Sequence, residues 1–211
     1  LSFCYEDKRN LFNQASFQVE AGSRLGIIGP NGIGKTTLLK TLLGELQAQQ
    51  GTIKWAENAK VGYFAQDHND LFEQNCTLLD WMSQWGTSQD DEQVIRGVLG
   101  RMLFSSDAIN KSTKVLSGGE KVRMLLGKLT LEKNNVLILD EPTNHLDMES
   151  IEALNQALEN YPGSIIIVSH DRQLLGSLAN EILEIMPNHD VIHYKDTLEE
   201  YLASKSAQTV G

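Results

Sequence analysis

Residues 25–37 read Leu-Gly-Ile-Ile-Gly-Pro-Asn-Gly-Ile-Gly-Lys-Thr-Thr, and this stretch decides the fold. Its first part, Leu25–Ile28, is a short apolar run that predicts a buried strand, and Gly29–Gly34 is a glycine-rich loop. The four leucines between positions 38 and 43 have the spacing of one face of a helix. The strand, loop and helix together match the phosphate-binding pattern G-x-x-x-x-G-K-[ST] in the context that the pattern requires.

The chemistry of this loop explains the choice of residues. Glycines let the backbone curl so that successive N–H groups face one phosphate, and the dipole of the following helix adds a favourable field. We expect Lys35 to reach the β- and γ-phosphates, the Thr36 hydroxyl to bind Mg²⁺, and Thr37 to lie near the α-phosphate. An ordinary glycine-rich turn between a strand and a helix is the alternative.

A second apolar run ends in two carboxylates. Val136–Leu139 predicts a strand buried on both faces of a parallel sheet, and Asp140 and Glu141 follow it directly. A phosphate-loop fold needs an acid at the tip of a neighbouring strand to hold the Mg²⁺ shell, and Asp140 fits that role. Glu141 is then placed to polarise an attacking water, although two solvated acids could also simply end a strand.

The third motif is Leu116-Ser-Gly-Gly-Glu120. Ser117 and Glu120 form the S-x-x-E pattern of a capping box, which starts a helix. Capping does not explain the two glycines between them, whereas bare N–H groups at a helix N-terminus can hold a phosphate. Because the chain already has one phosphate loop, this second element predicts contact with a nucleotide held by another copy of the domain.

Composition sets the limits of the prediction. The chain has 211 residues, 41% of them hydrophobic, which suits one domain with a substantial core. A net charge of −10 argues against a broad nucleic-acid surface, although a local basic patch stays possible. The two cysteines are far apart and predict free thiols in a reducing, cytoplasmic setting, and no apolar run is long enough for a membrane span. Because residue 1 is Leu, we expect a piece of a longer protein.

Periodicity predicts an α/β domain. We expect strands at 1–5, 15–19, 25–28, 52–55, 61–65, 136–139 and 165–168, and helices near 78–85, 92–103, 150–159, 172–178, 198–205 and after Ser117. Strands separated by helices indicate a mainly parallel core sheet. The region 68–115 changes character and is interpreted as a helical sub-domain inserted in that core.

The order of the motifs resembles the ATP-binding cassette (ABC) superfamily over the whole chain. The motifs are the phosphate loop, Gln66, Leu116–Glu120, Asp140–Glu141, Asp147 and His170. Asn144-His-Leu-Asp147 and Ser169-His-Asp-Arg172 are more similar to the ABC-F group than to transporter subunits. Val61–His68, Trp81–Trp85 and Tyr201–Lys205 further resemble the second cassette of one type of ABC-F protein.

The resemblance implies a P-loop NTPase fold of the ABC type, with an N-terminal antiparallel β sub-domain, and it implies residue roles. Tyr5 corresponds to the aromatic residue that stacks on adenine, and Gln66 to the residue that senses the γ-phosphate and Mg²⁺. His170 corresponds to a γ-phosphate contact, and Asp147 to a residue at the seam with the partner cassette. The expected ATP contacts are Tyr5, Gly29, Pro30, Asn31, Gly32, Ile33, Gly34, Lys35, Thr36, Thr37, Ser117, Gly118, Gly119 and Glu120; the expected catalytic residues are Glu141, His170, Gln66 and Lys35; the expected Mg²⁺ ligands are Thr36, Gln66 and Asp140.

Several functions stay open at this stage. ABC-F proteins carry two cassettes joined by a helical linker and act on the translating ribosome, whereas this chain has one cassette and no linker. The alternative from another class is the ATPase subunit of a membrane transporter, which would need a membrane partner. DNA-repair ATPases insert long coiled coils or zinc modules that are lacking here, and a cassette that only binds ATP would lack Glu141 or His170. Trp81 and Trp85 are interpreted as core residues, with a docking face as the alternative.

Overall fold

The computed structural model describes residues 3–4, 10–12, 15–64, 69–87, 91–144 and 146–209. Eight strands and seven helices lie within these ranges. The strands are β1 Phe3–Cys4, β2 Asn10–Phe12, β3 Arg24–Ile28, β4 Val61–Phe64, β5 Val136–Asp140, β6 Ser164–Val168, β7 Glu181–Ile185 and β8 Val191–Tyr194. The helices are α1 Lys35–Leu42, α2 Leu78–Ser83, α3 Glu92–Arg101, α4 Gly118–Leu131, α5 Met148–Glu159, α6 Arg172–Leu178 and α7 Leu198–Thr209.

Six strands form one sheet in the order β4-β5-β6-β3-β7-β8. The first five are parallel, and β8 pairs antiparallel with β7 at the edge. The α/β class predicted from the sequence is therefore confirmed. Because parallel strands point the same way, the residues that follow β3, β5 and β6 meet at one edge of the sheet.

The central strands are apolar throughout because both faces of the sheet are covered. Along β6 every residue is buried, and successive side chains enter opposite cores. Ile165 and Ile167 pack into the core on the side of α4 and α5, whereas Ile166 and Val168 pack into the core that contains the leucines of α1. The phosphate loop and its helix therefore lie against one face, and the motif helices α4 and α5 against the other.

The N-terminal part of the chain contains the antiparallel pair β1–β2. Two further strand predictions were wrong, because neither 15–19 nor 52–55 is part of a strand in the structure. The alternating burial that suggested the first is present, with Ala15 buried and its neighbours in turn exposed and half-buried. Alternation of buried and exposed residues indicates that one side of a segment is covered. A strand also requires a regular ladder of backbone hydrogen bonds to a neighbouring strand.

The region from residue 69 to 116 contains α2, α3 and the short 3₁₀ turns Asn69–Phe72, Ala108–Asn110 and Thr113–Val115. Trp81 is 1% exposed, stacks on Phe72 with ring centroids 4.8 Å apart, and donates its indole N–H to the Leu71 carbonyl at 2.8 Å. Trp85 is half-buried beneath the Lys128 ammonium of α4, which lies 4.2 Å from its ring centroid. Trp81 is therefore a core residue, and Trp85 packs against that core while staying half-buried. The sub-domain boundaries at 68 and 115 stay a prediction.

Three strands were not predicted from the sequence: β2, β7 and β8. β7 lies beside β3, so it belongs to the parallel core, and β8 closes that edge. The pattern Glu-Ile-Leu-Glu-Ile of β7 has neither clean alternation nor a continuous apolar run. Among the described residues, none of the helices combines the length and the apolar character that a membrane crossing needs.

Candidate nucleotide-binding site

The phosphate loop is held by its two ends. At one end β3 is fixed between β6 and β7, and at the other Ile33 is buried in the core beneath α1. Gly34 is the N-cap of α1 and has φ 113°, a backbone conformation that a residue with a β-carbon rarely adopts. Pro30, Asn31 and Gly32 lie on the outside of the loop. Burial at Ile33 thus fixes the loop while its tip stays accessible.

Lys35 is the first residue of α1 and is only 8% exposed. Its ammonium donates to the carbonyl oxygens of Gly29 at 2.9 Å and Pro30 at 3.1 Å, so the side chain folds back over the loop. Burial lowers the pKa of Lys35, and the negative charges of Glu141 and Asp140 oppose that effect. A buried ammonium held against carbonyls, beside two carboxylates, is placed to bind an anion that enters the loop.

Asp140 ends β5 and is 2% exposed. Burial raises its pKa, while a hydrogen bond from Thr36 and the charges of Lys40 and Lys35 act in the opposite direction. Its Oδ1 atom is buried and makes no hydrogen bond with a described residue. An unsatisfied buried carboxylate oxygen is costly unless a cation or donor meets it, so this atom marks a binding position.

Glu141 has an unusual backbone for a residue with a side chain, with φ 48° in the left-handed region. Its amide N–H donates to the Val168 carbonyl at 2.8 Å, which ties the end of β5 to the end of β6. Burial raises the pKa of Glu141, and the His170 backbone N–H, which donates to Oε2 at 3.2 Å, lowers it. Strain of this kind persists where neighbouring structure imposes it, and it is concentrated at functional sites.

His170 directly follows Ser169 at the end of β6, the strand between β5 and β3. Its ring Nε2 lies 3.3 Å from Glu141 Oε1, but that oxygen makes no hydrogen bond with a described residue. The two groups are therefore close to each other without being hydrogen-bonded through this oxygen. The imidazole is 57% exposed, whereas the Glu141 side chain is 12% exposed. The carboxylate is thus buried and the ring faces outward beside it.

The motif at 116–120 forms the start of α4. Ser117 Oγ accepts the Glu120 N–H at 3.2 Å and Glu120 Oε2 accepts the Ser117 N–H at 3.0 Å, so the predicted capping box is confirmed. Lys111 lies 3.4 Å from the other carboxylate oxygen of Glu120. Ser117 and Gly118 are exposed, whereas Gly119 is buried. The N-terminus of α4 therefore presents a hydroxyl and backbone N–H groups at the surface.

Asp147 is the N-cap of α5, where its Oδ1 accepts the Ser150 N–H at 2.8 Å. Hydrogen bonds from the side chain and the backbone of Ser150 lower its pKa. The sequence indicated Asp147 as a residue at a partner seam, and the structure adds that it starts a helix.

The structure brings together one group of the predicted residues, Lys35, Thr36, Asp140, Glu141 and His170, at the edge where β3, β5 and β6 end. The motif at 116–120 contacts Lys111 and Ser150 instead. Tyr5 and Gln66 lie outside the described residues, so their expected roles stay predictions. Sequence reasoning missed Lys40, whose charge acts on Asp140 from α1, because only the packing of α1 beside β5 connects the two.

Comparison with known proteins adds family information to this geometry. A sequence model of the family described as ABC transporter matches residues 12–144. The chain is 56% identical over 202 residues to "Probable ATP-binding protein YbiT" of Escherichia coli O157:H7, which is 96% of this chain and 38% of that protein. It is 36% identical over 203 residues to ATP-binding cassette sub-family F member 3 of Mus musculus, which is 96% of this chain and 28% of that protein.

Among solved structures, the chain is similar to cbiO1 from Clostridium perfringens, described as part of the ABC transporter complex cbiONQ. The TM-score is 0.80 over 98% of this chain and 90% of that one, at 22% sequence identity. At that identity the likeness concerns the fold alone. The chain spans less than two fifths of the length of the two curated relatives above.

Proposed function

Because this chain belongs to the ABC family and is an ATPase cassette of its ABC-F group, we propose that it binds ATP with Mg²⁺ in the loop Gly29–Thr37 and hydrolyses it when paired with a second cassette. One observation carries the proposal. Two buried carboxylate oxygens, Asp140 Oδ1 and Glu141 Oε1, make no hydrogen bond with a described residue, and they lie at the edge of the sheet where the phosphate loop begins.

The oxygen atoms at this edge of the sheet are suitable ligands for Mg²⁺. This ion prefers oxygen ligands and usually takes one or two carboxylates together with substrate phosphates and water. Asp140 and the Thr36 hydroxyl would supply the protein oxygens, and Gln66 is the further expected ligand. Among the described residues no cluster of three or more His, Cys, Asp or Glu side chains is placed to hold a metal. The ion would neutralise charge on the phosphates.

The roles of the charged residues follow from their positions. Lys35 would exchange its bonds to the Gly29 and Pro30 carbonyls for phosphate oxygens, which accept hydrogen bonds from an ammonium more strongly. Glu141 would accept a proton from the attacking water, and a pKa raised by burial makes its carboxylate a stronger base. His170, beside it and exposed, would contact the γ-phosphate.

The position of the motif at 116–120 supports pairing with a second cassette. Ser117 and Gly118 are exposed at the N-terminus of a 14-residue helix, a favourable place for an anion. The chain's own phosphate loop packs on the opposite face of the sheet. These groups would therefore act on the nucleotide of a second cassette, and each of the two sites would use residues of both cassettes.

The Glu141→Gln variant tests the proposal. The change keeps the shape of the side chain but removes the proton acceptor, so we expect hydrolysis to fall about 10²–10⁴-fold. Nucleotide binding should survive because Lys35, Thr36 and Asp140 are intact. The variant should then accumulate as a dimer in ATP and a monomer in ADP, measured by light scattering.

Glu159→Gln, an exposed carboxylate at the end of α5, is the matched control and should hydrolyse ATP like the parent chain. Hydrolysis at the wild-type rate by the Glu141→Gln variant would contradict the role of Glu141. A variant that hydrolyses slowly but never dimerises in ATP would contradict the paired mechanism.

For the whole protein, the ABC-F group supports a cytosolic factor that acts on the ribosome and carries the second cassette in the same chain. The intact protein with Glu141→Gln should accumulate on ribosomes in ATP and slow translation, as measured by sedimentation and by synthesis of a reporter. Co-purification with a membrane protein and not with ribosomes would instead favour the ATPase subunit of a membrane transporter.

A further inference from the structure

We propose that Ser150 is a positioning residue that joins the two partner-facing elements, Ser117–Gly118 and Asp147, into one rigid unit through its contact with Gly119. The inference rests on the proposed function, because it concerns how the residues that face a second cassette are held in place. It assigns a role to a residue for which the sequence predicted none.

The contact between α4 and α5 at this point leaves no free space. A β-carbon built on Gly119 would lie 2.5 Å from the Ser150 β-carbon and 3.1 Å from its α-carbon, and closer still to its hydroxyl oxygen. Ordinary van der Waals contacts between carbon atoms are about 3.5–4.0 Å. The first turn of α4 is therefore packed directly against the backbone and side chain of α5, and Gly119 is required by helix packing irrespective of any phosphate.

Ser150 also holds Asp147. Its backbone N–H donates to Asp147 Oδ1 at 2.8 Å, and its hydroxyl lies near enough to the same carboxylate to help lower the pKa of Asp147. Ser150 is 7% exposed although it belongs to the first turn of a surface helix. One buried serine thus contacts the start of α4 with its side chain and the N-cap of α5 with both its hydroxyl and its amide.

The distances along the helices are short enough to transmit a displacement. At about 1.5 Å per residue, Ser117 lies roughly 3 Å from Gly119 along the axis of α4, and Asp147 roughly 4.5 Å from Ser150 along α5. A shift at the contact therefore moves both groups that would face the partner. The phosphate loop packs on the other face of the sheet and should not be affected.

The experiment compares four variants in the Glu141→Gln background of the whole 211-residue chain: Gly119→Ala, Ser150→Gly, the double change, and Gly97→Ala. A β-carbon on Gly97, in the middle of α3, meets no atom within 4 Å, so this variant is the matched control. Binding of a fluorescent ATP analogue to the phosphate loop should be equal in all four. ATP-dependent dimerisation by Gly119→Ala should weaken about 10–100-fold relative to Gly97→Ala, the loss expected when one hydrogen bond to a charged group is displaced.

The double variant should recover most of that loss, because removing the Ser150 side chain leaves only its α-carbon, 3.1 Å from the alanine β-carbon, and a small shift of the helices then suffices. A Gly119→Ala variant that dimerises like the control, or a double variant as weak as Gly119→Ala, would overturn the inference. If Gly119→Ala does not fold, Ser150→Ala provides the test: it removes only the hydroxyl, and dimerisation at the parent level would exclude a positioning role.

Failure of the proposed function is separable from failure of this inference. If the Glu141→Gln parent never dimerises in ATP, pairing is wrong. The contact is then tested by thermal melts, in which the double variant should melt above the temperature expected from adding the two single effects. Strict additivity would overturn the contact between Gly119 and Ser150 itself.

Discussion

At the scale of single residues, the site brings together side chains whose charged forms are disfavoured by burial. Burial lowers the pKa of Lys35 and raises the pKa of Asp140 and Glu141, and each carboxylate moderates the effect on the lysine. The strained φ of Glu141 and its bond to the Val168 carbonyl place its carboxylate beside His170. Charged groups whose pKa values are shifted by burial and by one another, gathered at one edge of a sheet, mark a candidate ligand-binding site.

Replacing Lys35 with alanine should weaken ATP binding while the fold persists. A hydrogen bond to a charged group is worth roughly 1.5–3 kcal/mol, so the affinity should fall about 10–100-fold. The carbonyls that Lys35 now contacts belong to a partly exposed loop and can bind water instead. Titration with a fluorescent ATP analogue and a thermal melt test this, with the exposed Lys195→Ala as control. Unchanged affinity in a folded Lys35→Ala variant would exclude the predicted role.

The raised pKa of Glu141 predicts a pH-dependent effect on stability. Because the folded state holds that proton more tightly than the unfolded chain, ionised Glu141 lowers the free energy of unfolding, and the loss develops as pH rises above the ordinary value of 4.5. Glu141→Gln should therefore have a higher Tm than the parent at pH 7. The difference should shrink as pH approaches 4.5, and a difference that is constant between pH 4.5 and 7 would contradict burial as the cause.

At the scale of elements, the helices α2 to α6 each start at a polar N-cap, but these caps do not have the same expected function. Asp91 accepts the Val94 N–H at 2.9 Å to start α3, Ser117 starts α4, and Asp147 starts α5. Each cap satisfies an N–H group that a helix terminus leaves unpaired. Only the caps of α4 and α5 are expected to face a second cassette.

Ser117→Ala and Asp91→Ala form a matched pair that separates capping from function. Each should lower the free energy of unfolding by about 1 kcal/mol, the usual cost of losing a cap. Only Ser117→Ala should also weaken ATP-dependent dimerisation in the Glu141→Gln background. Melting curves and light scattering measure the two effects, and equal dimerisation by both variants would mean that Ser117 is a cap and nothing more.

At the scale of the whole molecule, one copy keeps its two proposed nucleotide contacts apart. The phosphate loop and carboxylates lie at the edge where β3 and β5 end, while the start of α4 belongs to the layer on the opposite face of the sheet. If both contacts serve one nucleotide, two copies must combine.

The hydrolysis rate per molecule should therefore increase with protein concentration and level off once pairing is complete. Assays over a hundredfold range of concentration test this, with phosphate release as the readout. As a control, adding an excess of a Gly97→Ala variant that retains Glu141 should raise the hydrolysis rate per molecule as much as adding the parent chain does. A rate per molecule that is independent of concentration, in a chain that sedimentation shows to be monomeric, would mean that one cassette suffices.

The sequence by itself determined the chemistry and most of the core. The apolar runs at 25–28, 136–139 and 165–168 predicted strands covered on both faces, and the motif order identified an ABC cassette. These features depend on residues close together in the chain, where periodicity and spacing suffice. The sequence also located the carboxylates that follow β5.

Only the tertiary structure decided which local patterns become which elements and which distant residues meet. The segment 15–19 alternates like a strand but is not one, and β7 gave no clear pattern yet pairs with β3 in the core. The sequence predicted no role for Ser150. Its proposed role depends on Gly119, 31 positions earlier, and the two residues are in contact only because α4 packs on α5. Strand pairing and helix packing depend on contacts between distant segments, and a local pattern does not contain them.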